Sequence, residues 1–231
     1  MSNPQTIQAV DDAMNSRRSI RAFLPTAVTD AQVVDILQVA GRAPSGTNTQ
    51  PWKVYALSGA SKDAVCNEVL TTVANPELNN AMQAEYDYYP AKWQSPFVDR
   101  RRKVGFDLYA LLGLGRENKA GMAAQNARNF TFFDAPVGLF FTVDRIMGQG
   151  SWLDYGMYLQ NIMLAARARG LDTCPQAAWC SYHSIISKHL QLPANEMLVC
   201  GMALGYADHS KIENTLVTER VPVDQVLTFL K

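Results

Sequence analysis

The stretch Arg17-Arg18-Ser19-Ile20-Arg21 holds three guanidinium groups and one hydroxyl within five residues. Arginine is the side chain best shaped to bind a phosphate or another planar anion through two parallel hydrogen bonds. Three arginines this close together repel one another unless an anion lies between them. The alternative is that they complement the dipole at the C-terminal end of a helix. The stretch alone leaves both interpretations open.

Helical patterns lie on both sides of this stretch. Apolar residues recur at helical spacing over residues 6–16, which predicts an amphipathic helix that ends at the arginines. Thr29-Asp30-Ala31-Gln32 is a capping-box pattern and predicts the start of a second helix, which Gly41 ends. The arginines are therefore expected in the connection between two helices.

A polar loop follows the second predicted helix. The ten residues Ala43-Pro44-Ser45-Gly46-Thr47-Asn48-Thr49-Gln50-Pro51-Trp52 contain two prolines, one glycine and five polar side chains, which excludes a regular helix or strand. Residues 53–57 then predict a strand. A loop this polar between a helix and a strand is either a functional loop or an ordinary surface connection.

The rest of the chain alternates between helical and buried patterns. Residues 62–130 are mostly helical, with an aromatic section from Tyr86 to Tyr109 that is either core or a lid over a planar ligand. Strands are predicted at 137–143 and 197–206, helices at 151–169 and 182–190, and a loop at 171–178. Tyr155 and Met163 are interpreted as core residues.

The tail from Asp208 onward predicts mainly irregular structure with one last short helix. A tail of this length without its own core needs a surface to lie against, and a partner subunit would supply one. There are no repeats, low-complexity segments or evident linkers, so residues 1–231 are predicted to form a single domain.

Composition narrows the class of protein. Of 231 residues, 48% are hydrophobic and 18% charged, and the net charge is zero, which disfavours nucleic-acid binding. Neither a signal peptide nor a membrane-spanning stretch is predicted, and the four cysteines show no Cys-x-x-Cys pairing. We therefore expect a cytoplasmic protein with reduced thiols, no membrane partner and no nucleic-acid partner.

Several familiar catalytic motifs are missing. Gly113 to Asn118 fails the dinucleotide fingerprint because Asn118 replaces its third glycine, and there is no Walker loop or Gly-x-Ser-x-Gly elbow. His183, His189 and His209 lack zinc-ligand spacing, so no metal site is predicted. A chain without an evident catalytic side chain favours chemistry carried by a bound cofactor.

The arginine stretch and the polar loop together resemble the nitroreductase family of FMN-dependent oxidoreductases. Asp134-Ala135-Pro136, Gly170-Leu171, the Pro175 loop, the strand from Gly201 to Gly205 and Arg220-Val221-Pro222 follow in the family's order. The resemblance implies an α+β fold, with a central, mostly antiparallel sheet surrounded by helices. It also implies an interwoven homodimer with FMN at the interface and a C-terminal arm that embraces the partner.

The resemblance also implies which residues bind FMN. The family's phosphate and ribityl contacts correspond to Arg17, Arg18, Ser19 and Arg220, and Arg21 would lie near the pyrimidine edge of the flavin. The partner subunit would contribute three residues of the polar loop, and a further four residues would back the ring. These two sets are Pro44, Ser45 and Asn48, and Pro175, Gln176, Ala177 and Ala178.

Two positions depart from the family pattern. Thr218 stands where many members have a lysine that contacts the phosphate, and Arg128 replaces a frequent asparagine near the polar edge of the ring. The longest excursion lies between the first two strands, so the substrate lid would be the section from Tyr86 to Tyr109.

The activity that the resemblance implies is NADH- or NADPH-dependent reduction of nitroaromatic compounds, with quinones as further acceptors. A hydride would pass through flavin N5 with ping-pong kinetics, and no protein residue is assigned as a general acid. Enoate reduction, dehalogenation and flavin breakdown remain alternatives on the same fold, and so does a flavin-binding protein without turnover.

Overall fold

The computed structural model describes residues 3–231 and has a four-stranded antiparallel sheet at its centre. The strands are β1 (Trp52–Ser58), β2 (Val137–Asp144), β3 (Asp172–Gln176) and β4 (Glu196–Gly205). They lie in the order β1-β2-β4-β3, and each neighbouring pair is antiparallel. The predicted antiparallel sheet is confirmed.

The expectation of a loop over residues 171–178 was wrong, because β3 occupies most of it. The strand pairs Asp172 with Gly205 and Gln176 with Gly201 at the edge of the sheet. Pro175 has no N–H to donate, and proline is tolerated in a strand when it lies at an edge. The proline was taken as a loop signal, whereas pairing with the buried β4 decides the conformation.

Eight α-helices surround the sheet in the described chain. They are α1 (Pro4–Ser16), α2 (Asp30–Ala40), α3 (Gly59–Ala74), α4 (Pro76–Ala81), α5 (Phe97–Leu111), α6 (Lys119–Ala127), α7 (Gly150–Ala168) and α8 (His183–Leu190). One core lies against α2 and α7, where Ile36 and Ile162 are fully buried. The other lies against α3 and α8, where Val69 and Ile186 are fully buried.

Several local predictions are confirmed. Helix α1 ends at Ser16, so that Arg17 is its C-terminal cap. Helix α2 begins with the predicted capping box between Thr29 and Gln32 and ends at Gly41. All four cysteines are buried free thiols. Across residues 3–231, no helix combines the length and apolar character that crossing a membrane requires.

The two least regular regions are the aromatic section and the tail. Residues 82–96 form an irregular strap between α4 and α5, and the second half of the predicted lid is helix α5. The tail contains two short 3₁₀ turns, Ile212–Thr215 and Val223–Gln225, where a last short helix was predicted.

Candidate active site

The arginine stretch lies along the outer edge of the sheet. The C-terminal cap at Arg17 has extended backbone, and Ser19 then forms a parallel bridge with Thr173 of β3. The N–H of Ile20 donates to the carbonyl of Thr173 at 3.1 Å, and the Ile20 side chain is buried in the core. Because Ile20 faces the core, the arginines of this stretch lie on the side that faces away from the core.

The tail reaches the same place from the other end of the chain. Asn214 accepts a hydrogen bond from the backbone N–H of Arg21 at 2.8 Å and donates to the carbonyl of Ala22 at 2.8 Å. This clamp carries the following segment past the arginines and brings Arg220 to within reach of Arg17. Two stretches about 200 residues apart in sequence are thereby joined.

A cavity of about 280 Å³ opens between these two stretches, and we call it the arginine pocket. Its lining consists of Met14, Asn15, Arg17, Arg18, Ser19, Arg21, Gln160, Leu216, Val217, Thr218 and Arg220. Four of these residues are cationic and none is acidic. The pocket therefore brings together five of the residues that the sequence assigned to FMN.

The arginine charges are not neutralised within residues 3–231. Arg18 donates to the carbonyls of Asn15 and Ser16, and Arg21 donates to the carbonyl of Ser19 at 3.2 Å. The Nε of Arg17 is buried and has no hydrogen-bond partner. Burial lowers the pKa of the Arg17 guanidinium, and the charges of Arg220 and Arg18 lower it further. A bound anion would reverse this repulsion.

Thr218 contacts Arg220 at the rim of the arginine pocket. The hydroxyl of Thr218 accepts a hydrogen bond from a guanidinium nitrogen of Arg220 at 2.7 Å. At this position the chain thus has a residue that orients Arg220 rather than a further cation.

A second cavity, of about 720 Å³, lies along the N-terminal half of α7, and we call it the aromatic pocket. Its lining consists of Tyr86, Asp87, Tyr88, Gln149, Trp152, Tyr155, Gly156, Leu159, Pro175, Gln176, Ala177, Val199 and Cys200. Helix α7 contributes to both pockets, with Leu159 in the aromatic pocket and Gln160 in the arginine pocket. Together they offer a cationic end and a wide, largely apolar end to one elongated ligand.

Helix α7 forms the floor of the aromatic pocket with one face. Trp152, Tyr155, Gly156 and Leu159 recur at the i, i+3, i+4, i+7 spacing of a single helical face. The Tyr155 hydroxyl is fixed from below, since it donates to the carbonyl of Thr142 at 2.6 Å and accepts from the N–H of Lys53 at 3.2 Å. This face of α7 is therefore rigid where a ring would lie on it.

Gly156 leaves open space next to this face of α7. A Cβ atom built on Gly156 would meet no other atom within 4 Å, so the space belongs to the pocket. A glycine inside a helix costs about 1 kcal/mol relative to alanine. The position is consistent with a flat group that approaches the helix backbone closely.

The end of β3 supplies the polar part of the aromatic pocket. Gln176 is buried and donates its amide to the carbonyl of Asn129 at 2.7 Å, whereas its Oε1 is buried without a partner. Pro175 and Ala177 line the same wall, but Ala178 packs against the core and is not part of the lining. Three of the four residues predicted to back the ring are thus brought together.

The strap over residues 82–96 is held across this pocket by two side chains. The hydroxyl of Tyr86 donates to the carbonyl of Val199, and its ring packs on Trp152 with a centroid distance of 4.5 Å. Glu85 forms an ion pair with Arg145 at 2.5 Å, and its carboxylate lies 3.3 Å from Nδ1 of His183. Burial raises the pKa of Tyr86, so its hydroxyl keeps its proton and remains a donor.

The polar loop lies apart from both pockets within this chain. The N–H of Gly46 donates to the carboxylate of Asp154 at 3.2 Å, and Ser45 accepts from the N–H of Gln50 at 3.0 Å. Asn48 has a positive φ of 62°, in the left-handed region where asparagine is enriched. Pro44, Ser45 and Asn48 line neither cavity of their own chain.

Arg128 also lies outside both pockets. It forms ion pairs with Asp134 at 3.0 Å and with the buried Glu213 at 2.6 Å. Its guanidinium is thereby held by two carboxylates outside the pockets. The structure does not bring this predicted site residue together with the others.

Some lining residues were not identified as site residues from the sequence. Tyr155 was interpreted as a core residue, and Trp152, Gly156 and Gln160 were not assigned to the site. A glycine in the middle of a strongly helical stretch was the available signal, since it lies at helical spacing from large aromatic residues.

Comparisons with known proteins find relatives that match almost the whole chain. A sequence model described as the Nitroreductase family matches residues 14–206. The chain is 41% identical over 224 residues to the chloronitrobenzene nitroreductase of Comamonas testosteroni, covering 96% of both chains. It is 40% identical over 206 residues to the 4-nitrobenzoate reductase of Pseudomonas putida, covering 89% of this chain and 88% of that relative.

A solved structure is similar throughout its length. The FMN and NADPH-dependent nitroreductase NfnB from Sphigopyxis sp. strain HMH superposes with a TM-score of 0.92 at 39% sequence identity. The match covers 96% of this chain and 99% of the other.

Proposed function

The chain belongs to the nitroreductase family, and from this premise we propose that it is an FMN-dependent enzyme that reduces nitroaromatic compounds with a reduced nicotinamide. The observation that carries the proposal is the pairing of two neighbouring pockets on α7, one cationic without an internal anion and one wide and aromatic. The related enzymes that act on chloronitrobenzene and 4-nitrobenzoate support the class of acceptor.

The residues present fit FMN. A phosphate monoester carries roughly two negative charges at neutral pH, which suits a pocket with four arginines and an unpartnered Arg17 Nε. The ring would occupy the aromatic pocket, where Gly156 leaves open space and the unpartnered Oε1 of Gln176 would accept a hydrogen bond from it. Arg18, Ser19, Arg21 and Arg220 would hold the phosphate and the ribityl chain.

When bound, FMN supplies hydride transfer from the nicotinamide to the acceptor through its N5 atom. The α7 face and the strap would hold the reacting rings between them. No lysine, arginine or histidine lines the aromatic pocket in the described chain, so we assign the protons to solvent. Because one pocket would serve donor and acceptor in turn, we expect ping-pong kinetics.

We propose a homodimer with FMN at the interface. Helix α1 buries none of its side chains in this chain, and its apolar residues Ile7, Val10 and Met14 are about half exposed. The tail is similarly exposed, with Phe229 77% and Leu230 93% accessible. A partner subunit would cover these surfaces, and its Pro44, Ser45 and Asn48 would complete the flavin site. The single domain and the cytoplasmic location remain predictions from the sequence.

An anaerobic spectrum tests the proposed function. The protein reconstituted with FMN is mixed first with NADPH, the donor of the structurally similar NfnB, or with NADH, and then with nitrobenzene. We expect the flavin absorbance to bleach with the donor and to return with the nitroarene. A protein that binds FMN but does not bleach with either donor would be a flavin-binding protein rather than a reductase.

A further inference from the structure

The aromatic pocket has an unusual charge balance. Of its 13 lining residues, Asp87 is the only charged one. This aspartate lies in the strap between Tyr86 and Tyr88, is exposed to solvent, and forms no ion pair with any part of residues 3–231. The entrance of the pocket therefore carries one uncompensated negative charge.

The cations of the strap and its surroundings do not line the aromatic pocket, and Lys92 of the strap is exposed to solvent. Arg145 pairs with Glu85 and donates to the carbonyl of Ala194. Arg101 of α5 stacks over the outer aromatic rings of the strap, 4.9 Å from the centre of the Trp93 ring, and is not part of the pocket lining. Neither side chain is placed to neutralise an anion inside the pocket.

A partner subunit's polar loop would not change this balance. Residues 44–51 contain only proline, serine, glycine, threonine, asparagine and glutamine. If this loop completes the site in a dimer, it adds hydrogen-bonding groups but no cation.

The negative charge of the pocket lining affects which nitroarenes can enter the aromatic pocket. Sequence identity alone does not decide which acceptors are preferred, because the chain is about equally similar to a chloronitrobenzene nitroreductase and to a 4-nitrobenzoate reductase. A benzoate is ionised at neutral pH, and moving an unpaired carboxylate into an apolar site is strongly unfavourable. A like charge at the entrance adds to that cost.

We propose that this enzyme selects uncharged nitroarenes over carboxylated ones, and that Asp87 is a specificity-determining residue for this choice. The proposal rests on the proposed function. In the first reduction, one NADPH gives a hydride and solvent gives one proton. The nitro group thereby gains two electrons, loses one oxygen as water and becomes a nitroso group.

Two acceptors of nearly the same shape test the proposal. The FMN-loaded protein is assayed with NADPH and either 4-nitrobenzoate or its methyl ester, with nitrobenzene as the reference. We expect kcat/KM for the ester to exceed that for the acid by about tenfold or more, which is about 1.4 kcal/mol. Equal values for the acid and the ester would overturn the proposal.

A charge-removing variant separates Asp87 from intrinsic reactivity. Asp87→Asn should narrow the ester-to-acid ratio about threefold, since it removes one charge near the entrance and keeps the shape. The matched control Asp63→Asn, which changes an exposed aspartate of α3, should leave the ratio unchanged. A ratio that is the same in Asp87→Asn and in the wild type would contradict the role of Asp87.

Ionic strength gives a second measurement that needs no variant. Raising salt from about 0.01 M to about 1 M shortens the Debye length from about 30 Å to about 3 Å and should narrow the wild-type ratio. A salt-independent ratio would argue against an electrostatic filter. If none of the three acceptors is reduced although FMN is bound, the proposed function itself fails and this inference fails with it.

Discussion

The arginine pocket and the aromatic pocket differ in how the chain builds them. Most charges of the arginine pocket come from one pentapeptide, to which the tail adds Arg220. The aromatic pocket is assembled from the strap, one face of α7, the end of β3 and the middle of β4. A site made by a short local sequence is visible as a motif, whereas a site made by packing becomes visible only in the fold.

The two pockets also differ in what they would recognise. The arginine pocket offers charge and directional hydrogen bonds, which suit a phosphate. The aromatic pocket offers flat apolar area and few polar groups, which suit a ring. Changes in the first should therefore distinguish FMN from riboflavin, and changes in the second should affect both flavins equally.

The largest effect is expected from Gly156→Leu. The new side chain would fill the open space above α7, so the affinities for FMN and riboflavin should both fall about 100-fold or more. The melting temperature of the apoprotein should not decrease, because glycine is roughly 0.8–1.0 kcal/mol less favourable than alanine in a helix and leucine ranks close to alanine. Flavin fluorescence titration and thermal unfolding measure the two quantities.

Met157→Leu is the matched control for this variant. Met157 is the next residue of α7 and does not line the aromatic pocket, so its flavin affinity should equal that of the wild type. If Gly156→Leu binds both flavins as tightly as the wild type does, the flavin ring does not lie in the aromatic pocket.

The next largest effect is expected from Arg220→Ala. Removing one charged hydrogen-bonding group costs roughly 1.5–3 kcal/mol, so FMN affinity should fall about 10- to 100-fold while riboflavin affinity changes little. Arg102→Ala changes an exposed arginine outside both pockets and should have no effect. Equal losses for the two flavins would show that Arg220 acts on the ring or on folding instead.

A smaller effect is expected from Tyr86→Phe, which keeps the ring on Trp152 but leaves the carbonyl of Val199 with only the weak thiol donor of Cys180. A strap held less firmly should raise the KM for the nitroarene about fivefold, corresponding to about 1 kcal/mol, with FMN affinity unchanged. The half-exposed Tyr89, changed to Phe, is the control. Steady-state kinetics at saturating NADPH would show whether the two variants differ.

The smallest effect on flavin binding is expected from Glu196→Gln, a substitution in the scaffold. Burial alone would raise the pKa of Glu196, but hydrogen bonds from Lys53, Thr142 and Tyr55 outweigh it and hold the pKa below its ordinary value of 4.5. A lowered folded-state pKa stabilises the protein above pH 4.5, and this contribution is lost as the pH falls through the folded-state value.

Urea unfolding at several pH values tests this prediction. At pH 7 the variant should lose roughly 2–3 kcal/mol of unfolding free energy, and the loss should shrink toward acid pH. Its FMN affinity should stay within about twofold of the wild type. A loss of stability that does not depend on pH would mean that the Glu196 charge is not responsible.

Much of the fold followed from local sequence signals, because the elements concerned are determined locally. The capping box at Thr29 and the continuous apolar run of β2 identified their elements directly. β3 was missed because Pro175 is a local loop signal, and only its pairing with β4 makes it a strand.

The candidate site was predictable to a similar extent. The arginines were found through their spacing and a family resemblance, and the structure places them in one pocket with Arg220. The α7 face was missed because the same helical spacing describes a core stripe and a pocket wall. Arg128 lies outside both pockets of its own chain, and nothing in the sequence shows that Glu213 lies beside it.

The most direct test of the account is a comparison of FMN and riboflavin affinity in the wild type and in Arg17→Ala. The two flavins share the ring and the ribityl chain and differ in the phosphate. If the phosphate lies among the arginines, the wild type should bind FMN about 100-fold more tightly, as two charged hydrogen bonds of at least roughly 1.5 kcal/mol imply. Arg17→Ala should narrow that difference about tenfold by weakening FMN alone. Equal affinities of the wild type for FMN and riboflavin would contradict the assignment of the arginine pocket.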